Sequence, residues 1–235
     1  MISIRNVCKQ FGKLKVLNSV SAELSDGECI ALIGPNGCGK TTLIKSILGM
    51  VMPNSGDITI KGKSIRNEFR YRNDIGYMPQ IGKYPENMTI GQVITMIMNI
   101  RNNQEALDEE LLEAYQLKKL YNKKMHTLSG GTTQKVSATL AFLFNPSVLI
   151  LDEPTAGLDP LASEILKNKI LKEREKGKLI LITSHLLSEL DELVSEIIFM
   201  QEGNILLHKN ALQLQSETNT TTIAKAITQL LKLNA

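Results

Sequence analysis

Cys29-Ile30-Ala31-Leu32-Ile33 runs directly into Gly34-Pro35-Asn36-Gly37-Cys38-Gly39-Lys40-Thr41-Thr42, and this stretch decides the fold. Five apolar residues in a row read as a short strand buried on both faces, and from Lys40 the spacing of Leu43, Ile44, Ile47 and Leu48 is helical, ending near Gly49. The loop between them matches G-x-x-x-x-G-K-[ST] in the strand-loop-helix context which that pattern requires. Its glycines allow close approach to phosphates, and backbone N–H groups at the helix N-terminus face the anion. Lys40 then reaches the terminal phosphates as a point charge, and the Thr41 hydroxyl can ligate Mg²⁺. A glycine turn that merely caps a helix would match all four fixed positions in roughly one such chain per hundred. Cys38 needs no redox role, because a small residue is all the turn requires.

Outward from this unit, Ile2 and Ile4 alternate with polar neighbours, Val16 to Leu24 repeats the pattern, and Asp57 to Ile60 reads as a strand between Gly56 and Gly62. From about Pro85 to Thr127 the patterns are helical, rich in Met, Asn, Lys and Glu, with no convincing strand; they suggest an inserted α-helical lobe, placed at about 85–145. Strands resume at Val148. Val148 to Leu151 and Leu179 to Thr183 are continuous apolar runs typical of a parallel sheet, joined through a helix from about Leu161 to Lys176. Glu196 to Met200 and Leu206-Leu207 flank a turn at Gly203, and a tail at about 209–235 ends in a short helix marked by Ile223, Ile227, Leu230 and Leu231. No internal repeat doubles the unit, so 1–235 reads as one domain.

Val148 to Leu151 ends in Asp152-Glu153, and strand ends of an α/β sheet face the crevice that holds the phosphate loop. Asp152 is placed to hold Mg²⁺ through water. Glu153, pointing the other way, can polarise a water for in-line attack on a γ-phosphorus, since phosphoryl transfer needs positioning and charge compensation above all. An Asp-Glu-Pro that merely caps the next helix is the competing reading, and the phosphate loop upstream weighs against it.

The phosphate loop, Leu128-Ser129-Gly130-Gly131 and Leu151-Asp-Glu-Pro-Thr-Ala-Gly-Leu-Asp159, in this order, resemble the nucleotide-binding subunit of ABC transporters over nearly the whole chain. The resemblance implies an α/β fold of P-loop NTPase type, with a mostly parallel core sheet, an antiparallel β subdomain and the helical lobe. It implies an ATPase using ATP and Mg²⁺. It further implies a head-to-tail dimer, of two such subunits or a pseudo-dimer, in which Ser129, Gly130 and Gly131 of one subunit contact the γ-phosphate held by the other. A Ser-Gly-Gly turn opening a helix suits an anion, although Ser129 also reads simply as an N-cap.

By the same resemblance Gln80 touches Mg²⁺ and the attacking water, His185 contacts the γ-phosphate and Asp159 communicates across the dimer. Phe11 stacks on adenine where Tyr is commoner in the family, and Val16 lines the same pocket. Thr132 departs from the family's best-known signature, which continues with Gln. Together with Lys135 it is similar to export-type and membrane-remodelling systems. Ile75-Gly-Tyr-Met-Pro-Gln-Ile-Gly82, Tyr84-Pro-Glu-Asn87 and the signature through Lys135 resemble the bacterial ATPase that serves copper-site maturation of nitrous oxide reductase.

The implied partners are integral-membrane permease subunits, through which alone the chain would reach a membrane, at the cytoplasmic face. The 235 residues carry a net charge of +3 and three scattered cysteines, which announce neither a nucleic-acid face, nor a disulfide framework, nor a zinc site. No run of about 18 apolar residues occurs. Met88, Met96, Met98 and His126 read as filler rather than a copper site, because residues two apart on a helix do not share a face. The rival from another class is an ABC ATPase that remodels ribosomes or DNA, although the tandem domains and long coiled coils usual there are missing. A degenerate module that binds ATP without turnover is disfavoured by the presence of Lys40, Asp152, Glu153 and His185.

Overall fold

The computed structural model describes residues 1–101, 106–184 and 187–233. Its centre is a six-stranded sheet built on three strands with every residue buried, β3 (Cys29–Ile33), β7 (Val148–Asp152) and β8 (Leu179–Thr183). With β6 (Ile75–Met78), β9 (Glu196–Gln201) and β10 (Asn204–Asn210) the order is β10-β9-β3-β8-β7-β6, and all pairings are parallel except β9 with β10. Side chains alternate between faces with a period of two. Ile30, Leu32, Val148, Ile150, Leu179 and Leu181 pack toward α1 (Lys40–Ile47), while Cys29, Ala31, Ile33, Leu149, Leu151, Ile180 and Ile182 pack toward the remaining helices.

The α1 side is closed by a second, antiparallel sheet of order β2-β1-β4-β5, formed by β1 (Ile2–Phe11), β2 (Leu14–Leu24), β4 (Ser55–Ile60) and β5 (Lys63–Ser64). Ile2, Ile4, Val20, Leu24, Ile58 and Ile60 turn inward from it onto the α1 core. The opposite face carries α2 (Ile90–Arg101), α3 (Glu110–Ala114), α4 (Gly130–Phe142), α5 (Pro160–Glu175), α6 (Ala211–Glu217) and α7 (Ile223–Leu233). No helix among the described residues is long and apolar enough to cross a membrane.

Three elements were not in the sequence reading: the two-residue β5, which only extends the antiparallel sheet beside β4, strand β6 and helix α6. Strand β6 lies where no strand was expected before Val148; it has only four residues, and its apolar run is broken by Gly76. That glycine is required by packing, since a Cβ there would stand 2.0 Å from the Ala141 carbonyl oxygen of α4. Helix α6 precedes the expected tail helix. It is capped by Asn210, whose Oδ1 accepts from the N–H groups of Leu212 and Gln213.

Helix α5 is fastened by an ion cluster. Lys169, 2% exposed, reaches Asp108 at 2.5 Å, Glu110 at 2.8 Å and Glu173 at 3.0 Å, and the buried Glu173 also meets Lys176 and Lys178. Burial alone would raise the Glu173 carboxyl, but hydrogen bonds from Lys176, Lys178 and Lys169 outweigh it and pull the group down to about 2. Burial likewise opposes the Lys169 charge, and its three carboxylates hold its pKa up.

Candidate functional site

The phosphate loop leaves β3 at Gly34 and enters α1 through Gly39. Gly39 has φ +112°, and a Cβ there would lie 2.7 Å from the Val16 carbonyl oxygen; one at Gly34 would lie 2.1 Å from that of Met200. Glycine is therefore dictated by close backbone approach and by conformation together. Lys40 folds back over the loop, its Nζ donating to the carbonyls of Gly34 (2.7 Å) and Pro35 (3.2 Å), while the Cys38 side chain is buried beneath. No acidic residue occupies the first turn of α1, so no carboxylate of the helix itself offsets the positive end of its dipole.

A cleft of about 500 Å³ opens over this loop. Asn36, Gly37, Gly39, Lys40, Thr41 and Thr42 form one wall, and Gln80, Asp152 and Glu153 another. The β1–β2 hairpin supplies the third with Phe11, Leu14 and Val16. Phe11 is 49% exposed, with the Lys9 ammonium 4.9 Å from its ring centroid.

The two carboxylates are held differently. Asp152, 8% exposed, accepts a 2.5 Å hydrogen bond from the Thr183 hydroxyl on the neighbouring strand end. Glu153 takes the left-handed conformation (φ 51°) and lines the same cleft as Asp152, where its Oε2 accepts from Gln80 Nε2 at 2.9 Å. Thr41, Asp152 and Gln80 thus present hydroxyl, carboxylate and amide oxygens in one cleft, a hard-donor set that fits Mg²⁺. Leu14 and Thr183 escaped the sequence reading. Strand parity puts Thr183 on the face of Leu181, but its place beside Asp152 comes from the β7–β8 register.

Ser129, Gly130, Gly131 and Asp159 do not line this cleft. Ser129 is the N-cap of α4, accepting from the Thr132 N–H at 3.3 Å, and Asp159 is the N-cap of α5, accepting from Ala162 N–H at 2.9 Å. Lys135 Nζ lies 2.6 Å from Asp159 Oδ2; this bond foremost, then the Ala162 N–H, holds the Asp159 carboxyl below the usual range. His185 lies outside the described residues.

A family model described as ABC transporter matches residues 17–156, which span the phosphate loop, the signature turn and the carboxylate pair. The chain belongs to the ABC transporter family. Nod factor export ATP-binding protein I of Burkholderia lata is 34% identical over 207 residues, covering 86% of this chain and 68% of that protein. The phospholipid-transporting ATPase ABCA3 of Rattus norvegicus is also 34% identical, over 85% of this chain but 12% of its own length. A solved ATP-binding subunit of an ABC transporter, 25% identical, superposes with a TM-score of 0.90 over 98% of this chain and 99% of that one. This chain is therefore an ATP-binding subunit of an ABC transporter, with the α/β ABC ATPase fold, and it hydrolyses ATP.

Proposed function

We propose that this subunit powers an export-type transporter, working as a head-to-tail dimer whose closure on ATP is passed to integral-membrane permease subunits. The observation that carries the hydrolytic assignment is the Gln80–Glu153 hydrogen bond inside the cleft that also holds the phosphate loop. In this reading Phe11 and Val16 flank the adenine, and the loop from Gly34 to Thr42 cradles the phosphates. Thr41, Asp152 and Gln80 would hold Mg²⁺, which when bound would neutralise phosphate charge. Glu153 withdraws a proton from the attacking water, and His185 is assigned to the γ-phosphate by the family resemblance alone.

Dimerisation is supported by the signature turn. The N-terminus of α4 with its Ser129 hydroxyl suits an anion, yet it lies outside the cleft of its own chain, so the phosphate it serves would be presented by a second subunit. The second chain is a copy of this one or a homologous subunit. Gln80 lines the cleft and precedes the helical region at about 85–145 in sequence, and it would transmit closure to permease segments docked there at the cytoplasmic membrane face. Ligand action is then a matter of differential affinity for open and closed states.

The name of one relative, Nod factor export ATP-binding protein I, supports export. Copper-site maturation, suggested by the stretches Ile75 to Gly82, Tyr84 to Asn87 and Leu128 to Lys135 together, is absent from the names of the relatives given above, and the export reading stands without it. The test is affinity capture of Glu153→Gln from gently solubilised native membranes with Mg-ATP. A polytopic membrane protein is expected to co-purify; ribosomes or DNA without one would favour the nucleic-acid remodelling alternative and overturn the transport reading.

A further inference from the structure

We propose that Thr183 is a positioning residue of the hydrolytic site, its one hydroxyl fixing both the Asp152 carboxylate and the backbone at Glu153. This rests on the roles assigned above to those two acids. Thr183 ends β8 directly beside Asp152 in the parallel register, and it is 2% exposed. Its Oγ1 donates to Asp152 Oδ1 at 2.5 Å and accepts from the Glu153 N–H at 3.1 Å, while its carbonyl oxygen shares that N–H at 3.1 Å.

The direction of these bonds is not arbitrary. A backbone N–H can only donate, so the hydroxyl must receive there and direct its single proton at Asp152 Oδ1, which accepts it. The β-branched side chain restricts χ1, so the hydroxyl cannot swing away without moving its methyl through the packed core. Glu153 sits at φ 51°, a conformation that side chains other than glycine hold only when their surroundings enforce it. The shared N–H is part of that enforcement. No residue of the phosphate loop bonds Thr183, so the hydroxyl should govern cation holding and water activation, not capture of ATP phosphates.

Two substitutions separate shape from hydroxyl: Thr183→Val keeps the branched outline, and Thr183→Ser keeps the hydroxyl. Turnover and KM are to be measured by phosphate release. Cation affinity is to be measured by electron paramagnetic resonance titration of Mn²⁺ with a non-hydrolysable ATP analogue, with Asp152→Asn alongside. Thr183→Val is expected to lower kcat by about ten- to thirtyfold, in line with the cost of small misplacements at a reacting centre. It should also weaken Mn²⁺ severalfold while KM for ATP stays near wild type, and Thr183→Ser should recover most of both losses.

Wild-type turnover and Mn²⁺ affinity in Thr183→Val would overturn the proposal. So would equal losses in the Val and Ser variants that track melting temperature, since the residue would then matter for packing alone. If Asp152→Asn weakens Mn²⁺ and Thr183→Val does not, only the Thr183 inference fails. If Asp152→Asn leaves Mn²⁺ affinity untouched, the assignment of Asp152 fails and takes Thr183 with it.

Discussion

Glu153→Gln changes one atom of the side chain, and the surroundings of Glu153 determine what that change can do. The bond from Gln80 Nε2 at 2.9 Å survives, because an amide oxygen accepts as a carboxylate does. It loses charge assistance, a weakening of about 1 kcal/mol. The backbone bonds from Glu153 N–H to Thr183 involve no side-chain atom of Glu153, and φ 51° is no harder for Gln than for Glu. The melting temperature should therefore fall by no more than about 2–4 °C. Lys40, Thr41 and Asp152 are untouched, so nucleotide affinity should hold. What disappears is the proton acceptor for water, and turnover should drop by roughly 10² to 10⁴, which is about 3–5 kcal/mol of barrier. Phosphate release at saturating Mg-ATP gives the rate, and gel filtration with ATP should show a dimer that persists instead of dissociating. A variant turning over within about fivefold of wild type would refute the base assignment. A drop matched by an equal loss of nucleotide binding would make Glu153 a binding group instead.

Lys40→Ala removes the loop's only ammonium, and a fluorescent-nucleotide titration should show ATP affinity lowered by at least about tenfold, or about 1.4 kcal/mol; unchanged affinity would exclude a phosphate contact. Gly39→Ala meets both φ +112° and the Val16 carbonyl at 2.7 Å, so calorimetry should show a loss of about 2–4 kcal/mol, and a melting temperature within about 3 °C of wild type would contradict the close approach. Phe11→Ala should weaken ATP binding by about 0.5–1.5 kcal/mol while Phe11→Tyr preserves it, read by the same titration. Acid stability should depend on the cluster around Lys169. The Glu173 carboxyl, ordinarily at 4.5, is pulled to about 2 in the fold, so about 3 kcal/mol is present above pH 4.5 and lost as pH falls through 2. Urea midpoints of wild type and Glu173→Gln should converge between pH 6 and pH 2.5, and parallel curves would deny the coupling.

The features legible in the sequence were those where chemistry or stereochemistry leaves few options. Gly34 and Gly39 stand against the Met200 and Val16 carbonyls, and the buried runs of β3, β7 and β8 form the middle of the sheet. Strand β6 was hidden because its identity comes from a partner: Gly76 is there for Ala141 on α4, a contact 65 positions away that no local pattern encodes. Thr183 was passed over for a related reason. In sequence it ends an apolar run, and only the β7–β8 register, which pairs it with Asp152, turns its hydroxyl into part of the site.

The turn from Ser129 to Gly131 and Asp159 were read as separate features, and the structure joins them. A Cβ on Gly131 would stand 2.8 Å from the Gly157 carbonyl, so the start of α4 lies directly against the turn that leads to Asp159. Lys135, one turn into α4, closes on Asp159 at 2.6 Å and lies 5.8 Å from the centroid of the Tyr115 ring, whose hydroxyl in turn donates to the Ala162 carbonyl at 3.0 Å. The start of α4 and the start of α5 are thereby tied into one body. That body continues into the carboxylate strand, because Ala156 N–H donates to the Glu153 carbonyl at 3.1 Å. In the proposed head-to-tail dimer, a γ-phosphate drawn to Ser129 from across the interface would pull on the segment that carries Glu153 in the same chain. Each subunit's water-activating group would then report on the nucleotide bound by its partner, through packed elements with no separate relay.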